Sequence, residues 1–283
     1  MLEEIRRRIR RVVLVAVSAL TAVGSVGIMP SLAQETTMQR VQTTKQLRVG
    51  VASGEPWYFK DISTGEWKGI GIELARRLSE KMGVAAIPVE TTWGNSVAGL
   101  QAGQIDIMFL LDPTEERKKA IDFLNGPIFY YALGALVKSG IDASTWEALD
   151  KPEIRVGVTL GASPDKAVTA LLKHAQINRF ASNDEAIAAF AARRVDVVVQ
   201  FHPALVAQFT KLKIGTVALP KPVSAIETSA GIRKEPDSSF RDQVSTIIAD
   251  FYQARLPNQL FSEYLKSKGA DPRSVPGLVK EDW

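Results

Sequence analysis

Cysteine is absent from all 283 residues. The fold can hold no disulfide, an exported form cannot be lipidated at a cysteine, and neither a thiol nucleophile nor a thiolate metal site is available. Histidine is nearly as scarce. His174 and His202 are the only two and lie far apart in sequence, so no metal site is expected. Neither a phosphate-binding G-x-x-x-x-G-K-[ST] loop nor a G-x-G-x-x-G dinucleotide fingerprint occurs, and no cofactor is expected. What remains is an ordinary globular composition, 46% apolar and 23% charged, long enough for one large or two medium domains.

The basic balance is also less than it looks. Arg6, Arg7, Arg8, Arg10 and Arg11 precede an apolar run from Val12 to Ile28, and Ser31-Leu32-Ala33 supplies small residues before Gln34. This pattern reads as a secretory signal peptide over residues 1–33. A membrane anchor is the alternative, but the run is short of the roughly 20 residues a span needs and contains Gly24 and Gly27. Without that segment the net charge falls from +4 to about +1. Nucleic acid is therefore not an expected partner, since it would need a basic face on the mature fold.

Two stretches repeat one pattern. Arg48-Val49-Gly50-Val51 recurs as Arg155-Val156-Gly157-Val158, and each is followed by a helix end running into a buried strand, at Leu100 to Phe109 and at Phe190 to Phe201. Strand-like and helical segments alternate between these landmarks. Helices are expected at Ile72 to Met82, Ser96 to Ala102, Pro164 to His174, Asp184 to Ala192 and Pro203 to Thr210, and strands at Leu47 to Ala52, Ile105 to Leu111 and Val195 to Gln200. The implied fold class is α/β with two lobes, each a mixed or parallel sheet flanked by helices, joined by two hinge crossings. The expected layout is a flexible leader at 34–45, a first lobe at 46–131, a second at 132–228, and completion of the first with a tail at 229–283. The first crossing is placed near Tyr131 and the return around Thr228 to Ile232. One cleft should lie between the lobes, beyond the carboxyl ends of the strands.

Several fragments carry a family resemblance: Leu47-Arg48-Val49-Gly50-Val51, Pro56-Trp57-Tyr58-Phe59, Gly65 to Leu74, Gln104-Ile105-Asp106 and Thr114-Glu115-Glu116-Arg117. In order and spacing, residues 46 to about 268 resemble the bacterial periplasmic solute-binding proteins of polar amino acid importers. The resemblance implies the type II periplasmic-binding-protein fold and a monomer resident in the periplasm. It also implies capture of a small carboxylate-bearing solute, an amino acid or related organic acid, for an ATP-binding-cassette permease. At the matching position, Arg117 is the expected clamp on the ligand carboxylate, a task suited to a planar fork of donors. A solvated charge is the bland alternative for it. Ser163, after Gly161 and Ala162, reads as either an anion contact or a helix cap.

Departures from the pattern are informative. Where such receptors carry acids for the ligand ammonium, this chain has Ala52 and Phe201, and a serine-rich stretch is replaced by Phe109-Leu110-Leu111-Asp112. A buried ammonium needs a partner. Glu55 and Asp112 are the nearby acids, although Asp112 reads first as a helix cap ahead of Pro113. Trp57, Tyr58, Phe109 and Phe201 supply aromatic surface, with core packing the alternative for the two phenylalanines. Leu111, Thr159 and Ala162 complete the candidate lining.

Two other functions are weighed. Some proteins of this fold are periplasmic dehydratases of prephenate-like ring acids. Glu55, Asp112 and His202 are the candidate proton donors, yet no acid–base constellation stands out and an enzyme is not the expectation. An accessory or sensory receptor would leave no distinguishing mark here.

Overall fold

The computed structural model describes residues 35–282, and the expected signal peptide lies outside them. At the start of this range the expected flexible leader is a helix, α1 (Thr37–Thr44). A capping box explains it. The Thr36 hydroxyl accepts from the Gln39 N–H, and the Gln39 side chain accepts from the Thr36 N–H, satisfying two donors at once. Val41 is buried in the core, and Arg40 reaches Asp106.

The chain continues through β1 (Gln46–Val51), the short hairpin β2 (Phe59–Lys60) and β3 (Trp67–Lys68), α2 (Ile70–Met82), β4 (Ala85–Glu90) and α3 (Ser96–Gln101). Next come β5 (Ile107–Leu111), α4 (Glu115–Ala120), β6 (Asp122–Phe123) and β7 (Phe129–Tyr131). A second group follows: β8 (Leu133–Val137), α5 (Trp146–Leu149), β9 (Arg155–Thr159), α6 (Ser163–Leu171) and β10 (Gln176–Phe180). It ends with α7 (Asn183–Ala191), β11 (Val197–Phe201), α8 (His202–Leu212) and β12 (Thr216–Ala218). Last are β13 (Ile226–Ile232), α9 (Ser239–Gln253) and α10 (Leu256–Ser267). Helix α6 stops short of the expected His174, whose ring instead meets the Asp150 carboxylate at 2.9 Å.

Two sheets result. One runs β4-β1-β5-β13-β6, with β7 also on β13, and the other runs β10-β9-β11-β8-β12. In each the central strands are parallel and the strands of the crossings antiparallel. Strands β5 and β11 are buried along their full length, as sheet strands covered by helices on both faces should be. Only Ala132 separates β7 in the first sheet from β8 in the second. The return precedes Ile226, because β13 pairs with β5, β6 and β7 and so belongs to the first lobe throughout, upstream of the expected Thr228 to Ile232.

The sequence repeat is a structural repeat. In the first lobe, Asp106 accepts from the Arg48 backbone N–H at 2.6 Å and from its guanidinium at 2.7 Å, while the Asp106 N–H donates to Arg48 O. In the second, Asp196 accepts from the Arg155 N–H at 3.1 Å and from its guanidinium at 2.8 Å, while the Asp196 N–H donates to Arg155 O. Each aspartate thereby staples the start of one central strand to the start of the next.

The first crossing is tied to the chain's end by His202. Its Nδ1 accepts from the Ala132 N–H at 3.0 Å, an unambiguous donor, so Nε2 carries the proton and donates to Pro276 O at 3.0 Å. Burial pushes the His202 pKa down to about 4.

Candidate ligand cleft

At the carboxyl end of β5 the strand departs from regular pairing. Ser229 opposes Leu111 and the adjacent Ala230 opposes Phe109, so Leu110 is an extra, bulged residue, and its φ of 64° is left-handed. A bulge of one residue swaps which side chains face which side. Leu110 therefore lines the cleft, while Leu111 and Phe109, both expected there, are fully buried in the core.

Beyond the bulge, helix α4 is capped by Thr114, whose hydroxyl accepts from the Arg117 N–H at 3.3 Å. The expected cap was Asp112, and its release from that task is the reason it can face the cleft. The Asp112 carboxylate accepts from the Tyr131 hydroxyl and, across the cleft, from the Ser163 hydroxyl. Burial pushes the Asp112 pKa up, against the opposing pull of those two hydroxyls and of the Arg117 charge. The Tyr131 hydroxyl is driven up by burial and then by the Asp112 charge.

Arg117 lies beside this pair and is only 5% exposed. Its Nη1 donates to Asp112 O and its Nη2 to Gly161 O of the second lobe, each at 3.2 Å. No carboxylate stands within 4 Å of it among the described residues. Desolvation lowers its pKa, against the opposing pull of Asp112 and, more weakly, of Tyr131 and Glu116. Gly161 has φ 73°, and a Cβ there would come within 2.9 Å of Gly94 Cα. Backbone meets backbone at that seam between the lobes.

A pocket lies in the cleft between the lobes. Trp57, Trp93, Tyr131 and Phe201 form its aromatic wall, and Tyr131 stacks on Phe201 with centroids 3.6 Å apart across the first crossing. Trp57 stacks on Phe129 at 5.6 Å. Of the expected residues, Trp57, Asp112, Arg117, Ala162, Ser163 and Phe201 line this cavity.

The others are placed elsewhere, for physical reasons. Tyr58, the neighbour of Trp57, points the opposite way into the core and donates to Phe109 O at 2.9 Å. Glu55 turns to Lys268, 2.7 Å away. Thr159 sits one layer behind the cavity, its hydroxyl donating to Asn183 Oδ1 at 2.6 Å. His202 faces Ala132 and Pro276, so it holds no proton over the cleft. Ser163 is the first helical residue of α6 and not its cap, which is Ala162.

Trp93, Leu110, Tyr131, Pro164, Asn183 and Gln200 also line the cavity and were not singled out from sequence. Trp93 follows β4, Asn183 follows β10 and Gln200 is the last residue but one of β11, so the carboxyl-end rule for open α/β sheets was the signal that could have found them. Among the described residues no cluster of three or more His, Asp or Glu side chains could hold a metal ion, and no helix is long and apolar enough to cross a membrane.

Comparison with known proteins adds a family. The model for bacterial extracellular solute-binding proteins, family 3, matches residues 47–267. The L-cystine-binding protein TcyJ of Escherichia coli is 30% identical over 154 residues, 54% of this chain and 57% of its own length. The cyclohexadienyl dehydratase of Pseudomonas aeruginosa is 27% identical over 150 residues, 51% of this chain and 55% of its own length. The chain thus spans little more than half the length of these relatives. A crystal structure of an ancestral amino acid-binding protein, a precursor of cyclohexadienyl dehydratase, is similar with a TM-score of 0.71 at 29% identity. That likeness covers 82% of this chain and 99% of the ancestral one. The two-sheet arrangement is the two-lobed type II periplasmic-binding-protein fold.

Proposed function

This chain belongs to the bacterial extracellular solute-binding proteins of family 3, and from that premise we propose that it captures a small carboxylate-bearing solute, an amino acid or a related organic acid, in the cleft between its lobes. It then presents the closed complex to an ATP-binding-cassette permease of the inner membrane, acting as a periplasmic monomer after removal of residues 1–33. One observation carries the proposal: Arg117, nearly fully buried against the cavity, pairs with carbonyls and with no carboxylate among the described residues. A buried guanidinium with unspent N–H groups is stabilised by an anion that completes its fork. Among the described residues Asp112 is the one carboxylate lining the cavity, and it is the natural partner for a ligand ammonium, in place of the acids missing at Ala52 and Phe201.

Thermal-shift titration of the purified protein with amino acids and with matched acids lacking the amino group tests this. At a concentration about 100 times Kd, a ligand stabilises by about 2.7 kcal/mol. Arg117→Ala should cost about 2–5 kcal/mol of affinity, the scale of removing one partner from a buried charge pair. Retained tight binding in that variant would sink the proposal. A preference for amino acids over the matched acids assigns Asp112 to the ammonium.

Catalysis is the second reading, favoured by Asp112 as a buried acid with a raised pKa beside an aromatic cavity. It ranks lower because both Asp112 oxygens already accept from Tyr131 and Ser163, and among the described residues no second carboxylate and no histidine lines the cleft. Turnover of a ring carboxylic acid by the purified protein, abolished in Asp112→Asn, would reverse that order.

A further inference from the structure

Opposite Arg117, the second lobe presents two buried amides, Asn183 at 5% exposure and Gln200 at 6%. Their orientation is fixed by a chain of bonds that starts from a backbone donor. The Phe201 N–H donates to Gln200 Oε1 at 3.2 Å, which leaves Gln200 Nε2 to donate to Asn183 Oδ1 at 2.8 Å. The Thr159 hydroxyl donates to the same Asn183 oxygen at 2.6 Å. Rotating either amide would set donor against donor somewhere along this chain. Asn183 Nδ2 is consequently the group left over, and it has no acceptor among the described residues. It lies against the first lobe at Gly54, where a Cβ would come within 2.4 Å of it, and the neighbouring Ser53 hydroxyl donates to Asp184 at 2.6 Å.

Asn183 lines the cavity, so this unspent donor gains a hydrogen bond from a ligand oxygen and nothing from a ligand that can only donate. We propose that Asn183 reads a second hydrogen-bond acceptor on the captured solute, a carboxylate or amide oxygen distinct from the carboxylate on Arg117. Asn183 is thus a specificity-determining residue, positioned by Gln200 and Thr159, and the solute class is acidic or amide-bearing. This inference rests on the capture reading above. The aromatic wall would equally accommodate a cationic side chain, but among the described residues the lining holds no carboxylate for one beyond Asp112, which the capture reading gives to the ligand ammonium.

Calorimetric titration of the intact protein with L-glutamate, L-glutamine, L-methionine and L-lysine, and with glutarate against pentanoate, decides the matter. Acceptor-bearing probes should bind a few-fold to about tenfold tighter than their partners, the scale of one net hydrogen bond. Asn183→Asp turns the donor into an acceptor and should invert the order of L-glutamate and L-lysine. Asn183→Leu should bring L-glutamine down to the level of L-methionine. The wild-type ranking stands whatever the folding of either variant. Wild-type preference for L-lysine or L-methionine, or an order unchanged in Asn183→Asp, overturns the inference. If the probes bind and need Arg117 but ignore the second acceptor, it alone fails. If no carboxylate probe binds at all, the capture reading falls and this inference falls with it.

Discussion

In the first lobe, Asp106 is held between Arg48 and Arg40; in the second, Asp196 is held between Arg155 and Lys138. The framework is the same in both, down to the reciprocal backbone bonds. At the cleft the lobes part company. The first contributes formal charges, Arg117 and Asp112, whereas the second contributes uncharged groups: the Gly161 carbonyl, the Ser163 hydroxyl and the amides of Asn183 and Gln200. The difference teaches where each kind of demand falls. Holding two parallel strands together poses one problem at the amino ends of both sheets, and the same pair of residue types solves it twice. Recognition is divided at the carboxyl ends, one lobe providing charge and the other direction.

The staples should prove unequal when broken. Asp106 is 2% exposed and holds two guanidinium groups, so Asp106→Ala should cost about 3–5 kcal/mol of stability in denaturant unfolding, the range for removing one partner of a buried pair. Asp196 is 18% exposed, and Asp196→Ala should cost visibly less. Equal losses would show that the lobes depend on their staples alike despite the difference in burial. The Arg155 hydrogen bond holds the Asp196 carboxyl well below the usual carboxylate range, so this contribution is full above the unfolded value near 3.9 and fades as pH falls through the acid range.

A smaller effect belongs to the junction between the lobes. His202 is kept neutral by burial, at about 4 against an ordinary 6.5. The folded state therefore binds this proton later than the unfolded chain does. No penalty exists above about pH 6.5, and it grows as pH falls through the window, reaching about 3 kcal/mol below pH 4. His202→Gln should flatten the wild-type decline in urea midpoint between pH 6.5 and 4; an unchanged slope would place the acid sensitivity elsewhere.

The smallest effect probes the seam. Gly54→Ala should push the Asn183 amide off its place and weaken ligand binding by about 1–3 kcal/mol, the usual cost of overpacking, with little change in the unfolding of the ligand-free protein. Unaltered affinity would mean that the second lobe orients the ligand without support from the first.

How much of this was legible in the sequence follows from the same contrast. The two strand starts could be read because Arg48-Val49-Gly50-Val51 and its copy are local patterns, and alternation of strand and helix set the two-lobed class. Arg117 could be named only through the resemblance carried by Thr114 to Arg117, and Asp112 only as an acid close to it. The bulge at Leu110 could not, since it is imposed by the pairing of β5 with β13, a strand more than a hundred residues later in the chain. The slip moved Leu111 into the core. Nor could Thr114 be preferred over Asp112 as the cap, because both residue types suit that position and only the path of the loop separates them. Asn183 and Gln200 looked like a helix start and a strand residue. Their meaning appears only when β9, β10 and β11 lie side by side and a backbone N–H sets the direction of both amides.

Trp57 and Trp93, two of the chain's five tryptophans, line the cavity from separate loops of the first lobe. A ligand seated between them would sit against two indole rings at once, so the protein carries its own optical gauge: tryptophan emission should change with occupancy, and capture can then be timed in a stopped-flow cuvette with no label attached.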